Sequence, residues 1–359
     1  MSMSMKKKSP DVERIEQQRL NIVNKVIEDM KRDGLRWSEP YLPALSPHNP
    51  ATGTVYHGGN RLHLAFVAAS RGFDDSRWCT FNQIRDKGWH LKKGAKSALI
   101  EKWKTFAIME ENEETGEKEI TGRYPRLVGC WRVFNACEVE GIPPEVGPHH
   151  VSDHTASIAE NLIASSRCLI IEHPVYAGQA AYAPLRDRIL IAPRATFRSD
   201  ETFTRVLMHE MTHSTGHPDA LNRPSSTKFG SPEYAQEELV AELGSLFMSA
   251  DLGIQSDDME GEFYENHVSY LKSWIGALEN DPDYLFKAAS QADRASAYLE
   301  ERYDAVLERG LEKELEDPEL AQSEFSLKSE AAAMREAAAV QEERSPSILF
   351  TVPSLQEAR

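Results

Sequence analysis

Residues 200–216 read DETFTRVLMHEMTHSTG and contain the segment His209-Glu210-Met211-Thr212-His213. A helix over this stretch places the two histidines one turn apart on the same face, and at this spacing both imidazoles can bind one zinc ion. Glu210, on the same helix, would then accept a proton from water activated by that ion. The segment therefore predicts a catalytic zinc site with His209 and His213 as ligands and Glu210 as general base.

The helix is predicted independently of the histidines. Ser199 or Asp200 can cap its first turn, and the acidic Glu201 suits the positive end of the helix dipole. An apolar row at positions i, i+4 and i+8 would face the core, and it consists of Phe203, Leu207 and Met211. Gly216 and Pro218 then end the helix.

Several residues compete to be the third ligand. His217 lies one turn beyond the histidine pair, but it stands between a glycine and a proline that break the helix. A second helix, predicted over 233–251, carries Glu237, Glu238 and Glu242. Glu238-Leu-Val-Ala-Glu242 resembles the ExxxD segment of gluzincin metallopeptidases, with glutamate in place of aspartate. We assign Glu238 as the third ligand and Glu242 as hydrogen-bond acceptor for a ligand imidazole, and we expect Glu237 to lie on a solvated acidic edge.

Three protein ligands leave zinc an open position for water, as in catalytic zinc sites. The extended segment 188–192 is expected to be an edge strand that pairs with a peptide substrate, by resemblance to zincin proteases. A group that stabilises the oxyanion is also needed. The candidates, among which the sequence does not choose, are Tyr182, Tyr234 and Tyr264.

The chain has 359 residues and a formal net charge of −16, with 40% hydrophobic and 27% charged residues, a composition typical of a soluble globular protein. It lacks an apolar run of about 18 residues, which excludes a transmembrane helix. The basic residues 6–8 are not followed by the apolar stretch of a secretory signal, so we expect a cytoplasmic protein. The cysteines have no CxxC spacing and are expected to be reduced, mostly buried thiols; they are Cys79, Cys130, Cys137 and Cys168.

The charge is unevenly distributed. Residues 1–150 carry 23 basic and 20 acidic side chains, whereas residues 151–359 carry 18 and 37. Residues 77–104 hold eight basic and two acidic side chains, interleaved with aromatic residues. Such a mixture is typical of surfaces that bind single-stranded nucleic acid, because cations follow the phosphates and rings stack on the bases.

The candidate nucleic-acid contacts in this basic segment are Arg85, Lys92, Lys93, Lys96, Lys102, Lys104, Trp78 and Trp89. The alternative interpretation places the tryptophans in the core and the lysines on a solvated face. On a strand, Lys102 and Lys104 share one face opposite Trp103, so we expect Trp103 to belong to the core.

The predicted elements give an α+β fold in two domains. Residues 1–148 form a small α+β domain, with helices over 11–32 and 61–71 and a hairpin of strands over 98–108 and 124–134. The boundary lies near residue 148, because 141–148 is rich in glycine and proline. Residues 149–310 form a mostly helical domain with a short sheet, and residues 311–359 form an acidic low-complexity tail. The elements predicted in the second domain are helices over 153–166, 200–216, 233–251, 262–278 and 283–308 and strands over 168–172 and 188–192.

The first domain resembles the N-terminal domain of ArdC antirestriction proteins, which is also found in TraC-type plasmid primases. The second is similar to the zincin-like metallopeptidase domain of the same family. One departure from the family pattern is Gly59, which replaces an isoleucine in a loop. The matching segments are Pro47–Asn60, Trp78–Thr80, Lys93-Gly94, 209–217, 221–223 and 237–244.

The resemblance implies a protein of a plasmid or phage that binds single-stranded DNA entering a new cell and protects it from restriction. It implies Zn²⁺ as cofactor, a host restriction component or another protein as a further partner, and no membrane. Two alternatives remain open. One is a zinc protease that acts on DNA-associated proteins and uses the first domain for delivery; the other is a non-catalytic, zinc-stabilised DNA-binding module.

Overall fold

The computed structural model describes residues 10–34, 46–111, 117–144, 155–223, 231–254 and 262–316, which form the α+β fold expected from the sequence. The helices in chain order are α1 (Pro10–Asp33), α2 (Gly58–Arg71), α3 (Phe81–Asp86), α4 (Thr155–Ser165), α5 (Asp200–Ser214), α6 (Pro232–Asp251), α7 (Glu262–Asn280) and α8 (Asp283–Glu316). The strands are β1 (Trp78–Thr80), β2 (His90–Leu91), β3 (Ala98–Glu111), β4 (Lys118–Asn135), β5 (Val139–Glu140), β6 (Leu169–Glu172), β7 (Ala180–Ala183) and β8 (Arg188–Ile191).

A long antiparallel hairpin dominates the first part of the chain. Strands β3 and β4 pair from Ala98–Val133 to Glu111–Lys118, and β1 pairs with the last residues of β4, giving the sheet order β1-β4-β3. The hairpin predicted over 98–108 and 124–134 is thus confirmed, and both strands are longer than predicted. Helix α2 covers only the base of the hairpin, so most of its length is exposed.

The second part of the chain has a small mixed sheet in the order β6-β8-β7. Strand β8 lies in the centre, parallel to β6 and antiparallel to β7. The expectation that 188–192 is an edge strand is therefore wrong. Alternating apolar residues predict a strand there but do not show which strands pair with it. Ile189 and Ile191 are both fully buried in the centre of the sheet.

Helices from both parts share one hydrophobic cluster. Ile22 of α1 and Phe66 of α2 pack in the same cluster as Leu243 of α6, Trp274 of α7 and Leu285 of α8. The domain boundary proposed near residue 148 falls between the described ranges 117–144 and 155–223 and stays a prediction.

Contacts divide the chain into two compact units, Met1–Tyr303 and Asp304–Arg359. Of the second unit, the structure describes only residues 304–316, which are the end of α8. The predicted tail from residue 311 therefore begins within this helix, and the rest of it lies outside the described residues.

The described helices include none that is both long enough and apolar enough to cross a membrane. All four cysteines are free, as predicted. Only Cys79 is buried, however, and the other three are half-buried, so the expectation of mostly buried thiols is wrong for those three.

Candidate metal centre

Helix α5 carries the two histidines and is held in place by a capped first turn and a buried apolar face. Ser199 caps the helix, accepting a hydrogen bond from the Thr202 backbone N–H at 3.2 Å. The apolar row Phe203, Leu207 and Met211 is buried, with each side chain 1% exposed or less. This row anchors one face of α5 in the core. The opposite face of α5, with His209 and His213, therefore faces helix α6.

The two imidazoles and one carboxylate of α6 converge. His209 Nε2 and His213 Nε2 are 3.2 Å apart, and the Glu238 carboxylate oxygens lie 3.6 Å from the first nitrogen and 3.7 Å from the second. One ligand atom from each residue lies within 4.8 Å of the other two. The structure thus brings together the three residues that the sequence analysis assigned as ligands.

This arrangement fits a metal ion. Two ligand atoms that each lie about 2.1 Å from a tetrahedral ion are about 3.4 Å apart, close to the separations seen here. Each Nδ1 faces a carboxylate, since Glu242 lies 3.8 Å from His209 and Glu237 lies 3.4 Å from His213. If each ring carries its proton on Nδ1, the Nε2 lone pairs of both rings point into one shared space, where a cation would relieve their repulsion.

Without an ion, the same acidic surroundings favour a charged imidazole. Burial alone would lower the pKa of His213, but the carboxylates of Glu238 and Glu237 raise it well above 6.5. Burial alone would raise the pKa of Glu238, but His213 and His209 together lower the pKa of that carboxyl.

Glu237 is buried, so the expectation that it lies on a solvated acidic edge is wrong. Glu237 is only 9% exposed and accepts hydrogen bonds from Arg223 Nε at 3.1 Å and Nη2 at 2.5 Å. Arg223 also donates to the Thr215 hydroxyl and to the Thr212 carbonyl at the end of α5. The ion pair Arg223–Glu237 therefore fixes the Nδ1 side of the His213 ring, the side away from the metal ligands. A local sequence pattern does not predict this contact, because Arg223 lies in the loop after α5.

Glu242, the carboxylate that faces His209 Nδ1, also has a buried partner. Arg205 Nη2 donates to Glu242 at 3.3 Å, and Arg205 lies one turn before His209 on α5. Both ligand imidazoles are thus backed by a carboxylate that is itself paired with a buried arginine. Among the described residues, the converging ligand atoms belong to His209, His213 and Glu238 and do not include His217, whose Nδ1 accepts a hydrogen bond of 3.2 Å from the Asp219 backbone N–H.

Glu210 is positioned by the edge of the small sheet. Its Oε2 accepts a hydrogen bond of 2.6 Å from the backbone N–H of Tyr182 on β7. The edge strand beside the candidate site is therefore β7. The Tyr182 hydroxyl donates to Asp187 at 2.7 Å, so this tyrosine is held in a separate ion-pair group with Arg167. Tyr234 packs against the shared cluster, and the Tyr264 side chain lies outside the described part.

The candidate nucleic-acid residues fall into two groups. The six cations Arg85, Lys92, Lys93, Lys96, Lys102 and Lys104 are exposed. Trp78 is fully buried beside Phe73, with ring centroids 6.2 Å apart, so the prediction that it contacts nucleic acid is wrong. Trp89 is half-buried in a cluster with Ile84 and Val139.

Trp103 was expected in the core and is 47% exposed, so this expectation is also wrong. Alternation correctly placed it opposite its lysine neighbours, but the helix that covers the base of the hairpin does not extend over this part of β3. The Trp103 indole N–H donates to Glu101 at 2.6 Å, and Arg19 lies 5.7 Å from the ring centroid.

Two family models match the chain. One describes the N-terminal domain of the anti-restriction factor ArdC and matches residues 16–131; the other describes a zincin-like metallopeptidase and matches residues 157–291. A zincin-like domain implies a bound metal ion.

Relatives match across both parts. A DNA primase TraC of Escherichia coli is 30% identical over 293 residues, covering 77% of this chain and 19% of the primase. The uncharacterized protein y4eC of Sinorhizobium fredii is 30% identical over 264 residues, covering 73% of this chain and 83% of that protein. The chain spans only 19% and 26% of the length of the two TraC primases that it matches.

Solved structures show the same architecture. The metal-free crystal structure of the antirestriction protein ArdC from plasmid R388 has a TM-score of 0.62 and 28% identity, covering 80% of this chain and 98% of that one. The Mn(II)-bound structure of the plasmid protein has a TM-score of 0.61 and 28% identity, covering 79% and 97%.

Proposed function

This chain belongs to the ArdC family of antirestriction proteins, and we propose that it binds single-stranded DNA and cleaves peptide bonds at a metal ion held by His209, His213 and Glu238. The observation that carries the peptidase proposal is the convergence of three ligand atoms within 4.8 Å of one another on two packed helices. Zinc suits this set of imidazole and carboxylate ligands. Manganese is the competing ion, because a plasmid relative was solved with Mn(II).

The residues around the ligands suit hydrolysis. A divalent ion held there supplies Lewis acidity, which polarises a carbonyl group and makes water more acidic. Glu210 is the base: its Oε2 is fixed by the Tyr182 N–H, and its Oε1 has no hydrogen-bond partner among the described residues. Oε1 can take a proton from water and return it to the leaving amine. The β7 edge, which carries Tyr182, is where an extended peptide would lie.

The peptidase proposal is tested with the full-length chain. Metal content is measured by mass spectrometry after loading with Zn²⁺ or Mn²⁺, and hydrolysis is measured on an unfolded protein substrate. We expect Glu210→Gln to keep the metal and lose about 10²-fold or more of the rate, the usual effect of removing a general base. Glu238→Ala should lose the metal. The control is Glu301→Gln, an exposed carboxylate on α8.

Two results would contradict the peptidase proposal. The first is metal-loaded wild-type protein that cleaves no substrate, and the second is Glu210→Gln protein that cleaves as fast as the wild type. The first would favour a metal-stabilised binding module in place of an enzyme, and the second would show that Glu210 is not the general base.

The role in antirestriction is tested in cells. The proposed partners are the single-stranded DNA of a mobile element and a host restriction component. We expect wild-type protein to raise the recovery of a plasmid that enters a restricting host, and we expect Glu210→Gln to lose that effect. If Glu210→Gln protects as well as the wild type, protection comes from DNA binding alone and the link to proteolysis is wrong.

A further inference from the structure

The exposed length of the β3–β4 hairpin has two different faces. Alternation along β3 places Lys102, Lys104 and Phe106 on one side, and the register places Arg126 opposite Lys104 and Tyr124 opposite Phe106. Trp131 lies on the same side, opposite Ile100, next to Lys102. We call this side the arm face; it consists of Lys102, Lys104, Phe106, Tyr124, Arg126 and Trp131.

A β-bulge in β4 places Arg126 and Tyr124 on the same face as Lys104 and Phe106. The register shifts between Lys102, which pairs with Gly129, and Trp103, which pairs with Leu127, so that Val128 is left without a partner on β3. Without this extra residue, the side chains of β4 beyond the bulge would point to the opposite face.

Trp131 lies flat along the ribbon. A Cβ atom on Gly129 would lie 2.8 Å from Trp131 Cη2 and 3.3 Å from two other ring atoms, so the ring occupies the space that a side chain at this position would take. The ring is 42% exposed, and the Lys102 ammonium lies 5.6 Å from its centroid. A flat, exposed indole beside a cation is a suitable platform for an unpaired base.

A second pair of rings lies further along the arm. Phe106 and Tyr124 stack with centroids 6.0 Å apart and planes at 29°, and the Arg126 guanidinium lies 5.8 Å from the Phe106 centroid. The Trp131 ring covers Gly129, which pairs with Lys102, and Phe106 lies four positions further along β3, so the two ring positions are about 13 Å apart. The cations of the arm face therefore lie between two ring positions.

The middle of the hairpin carries only basic charge. Residues 102–108 and 122–132 contain no acidic side chain. Lys102, Lys104 and Arg126 form no ion pair with any residue that the structure describes. Cations without acidic partners among the described residues, set between the exposed rings of Trp131 and Tyr124 and the half-buried ring of Phe106, complement the phosphates and bases of a single strand.

We propose that the arm face is the surface that grips single-stranded DNA, with Trp131 and the Phe106–Tyr124 pair stacking on bases and Lys102, Lys104 and Arg126 contacting phosphates. This rests on the proposed function, single-stranded DNA binding. It keeps Lys102 and Lys104 from the sequence-based candidates and adds Phe106, Tyr124, Arg126 and Trp131 as contacts. The opposite face of the arm offers fewer contacts, because Trp103 is held there by Glu101 and Arg19.

The test uses the full chain and two oligonucleotides of about 16 nucleotides, one of deoxythymidine and one abasic. We expect Trp131→Ala to weaken binding of oligo(dT) about tenfold and to leave binding of the abasic strand unchanged, because only stacking is lost. Arg126→Gln should weaken binding of both strands equally. Matched controls on the opposite face are Trp103→Ala and Arg123→Gln, which should change neither affinity by more than about twofold. Thermal melting checks that each variant is folded.

Salt dependence gives a second measurement. The triple variant Lys102→Gln, Lys104→Gln, Arg126→Gln removes three phosphate contacts, so the slope of log affinity against log salt should fall in magnitude by about 2 for a single strand. An equal triple change at Lys92, Lys93 and Lys96 should alter the slope less.

The outcomes separate the two proposals. Wild-type protein that binds neither strand contradicts single-stranded DNA binding itself. Wild-type protein that binds, with arm-face variants that bind equally well, overturns the arm face alone. The same holds if the variants change the sedimentation of the protein but not its DNA affinity, which would assign the arm to self-association.

Discussion

Gly244 determines how closely the two helices of the metal centre approach. It lies on α6, and a Cβ atom there would be 2.6 Å from Thr212 Cγ2 and 2.8 Å from Thr212 Oγ1. Thr212 is fully buried, and its hydroxyl donates to the Met208 carbonyl at 2.8 Å, so the side chain has little freedom to move aside. The substitution Gly244→Ala therefore has to push α6 away from α5.

Two effects of opposite sign decide the result. Alanine is favoured over glycine within a helix by about 1 kcal/mol. An extra methyl group in a packed core costs about 1–3 kcal/mol, and the contact below 3 Å places Gly244→Ala at the upper end of that range. We expect a net loss of about 1–2 kcal/mol in the free energy of unfolding. Because Glu238 is on α6 and both histidines are on α5, metal affinity should also fall, on the order of tenfold.

The matched control is Gly276→Ala on α7. A Cβ atom there meets nothing within 4 Å, so only the helix preference remains and the variant should gain up to about 1 kcal/mol. Urea denaturation in the presence of a chelator measures stability, and competition with a chromophoric chelator measures metal affinity. If Gly244→Ala is as stabilising as Gly276→Ala and binds metal as tightly as the wild type, the close approach of α5 and α6 does not control the site.

Three further predictions concern buried groups. Burial and a hydrogen bond with Asp251 raise the pKa of Glu300 from 4.5 to about 8. The folded state alone then holds this proton between those values, so stability relative to Glu300→Gln should fall as pH rises from 4.5 to 8, by at most about 5 kcal/mol, in urea titrations at several pH values. Arg223→Ala removes the arginine that is bound to the buried carboxylate of Glu237, leaves that carboxylate with His213 as its partner, and should cost about 3–5 kcal/mol in the same assay; equal stability would show that this ion pair is unimportant. Trp78→Ala should cost about 3–5 kcal/mol but leave the salt slope of DNA binding unchanged, since the ring is buried; a changed slope would contradict this.

The long helices and the hairpin could be predicted because their signals are local. The apolar positions of α1 recur with the helical period, and Ile22, Val26 and Met30 are buried as that period requires. Strands such as β1 and β5 have two or three residues, too few to show alternation. Their existence depends on remote partners: Trp78 pairs with Asn135, which lies far along the chain.

The candidate site also combines residues that a local pattern predicts with residues that depend on remote contacts. The pair His209 and His213 is one turn of one helix, so its geometry follows from spacing alone. Glu238 lies on a second helix, and its assignment depended on the resemblance of residues 238–242 to the ExxxD segment of gluzincins. The burial of Glu237 depends on an arginine from a loop, and a local pattern of acidic residues does not reveal it.

Helix α6 joins the two parts of the molecule, and this determines how function can be tested. Its Glu238 faces α5, while its C-terminal turn is bound by Arg61 of α2, a buried side chain that donates to the Phe247 carbonyl and to Asp251, each at 2.7 Å. A chain cut near residue 148 would leave Asp251 without Arg61 and would expose the shared apolar cluster on both fragments. Loss of DNA binding or of hydrolysis by a fragment would then reflect misfolding. Point substitutions in the full chain, chosen on exposed surfaces such as the arm face, can assign the two activities because they leave α6 in place.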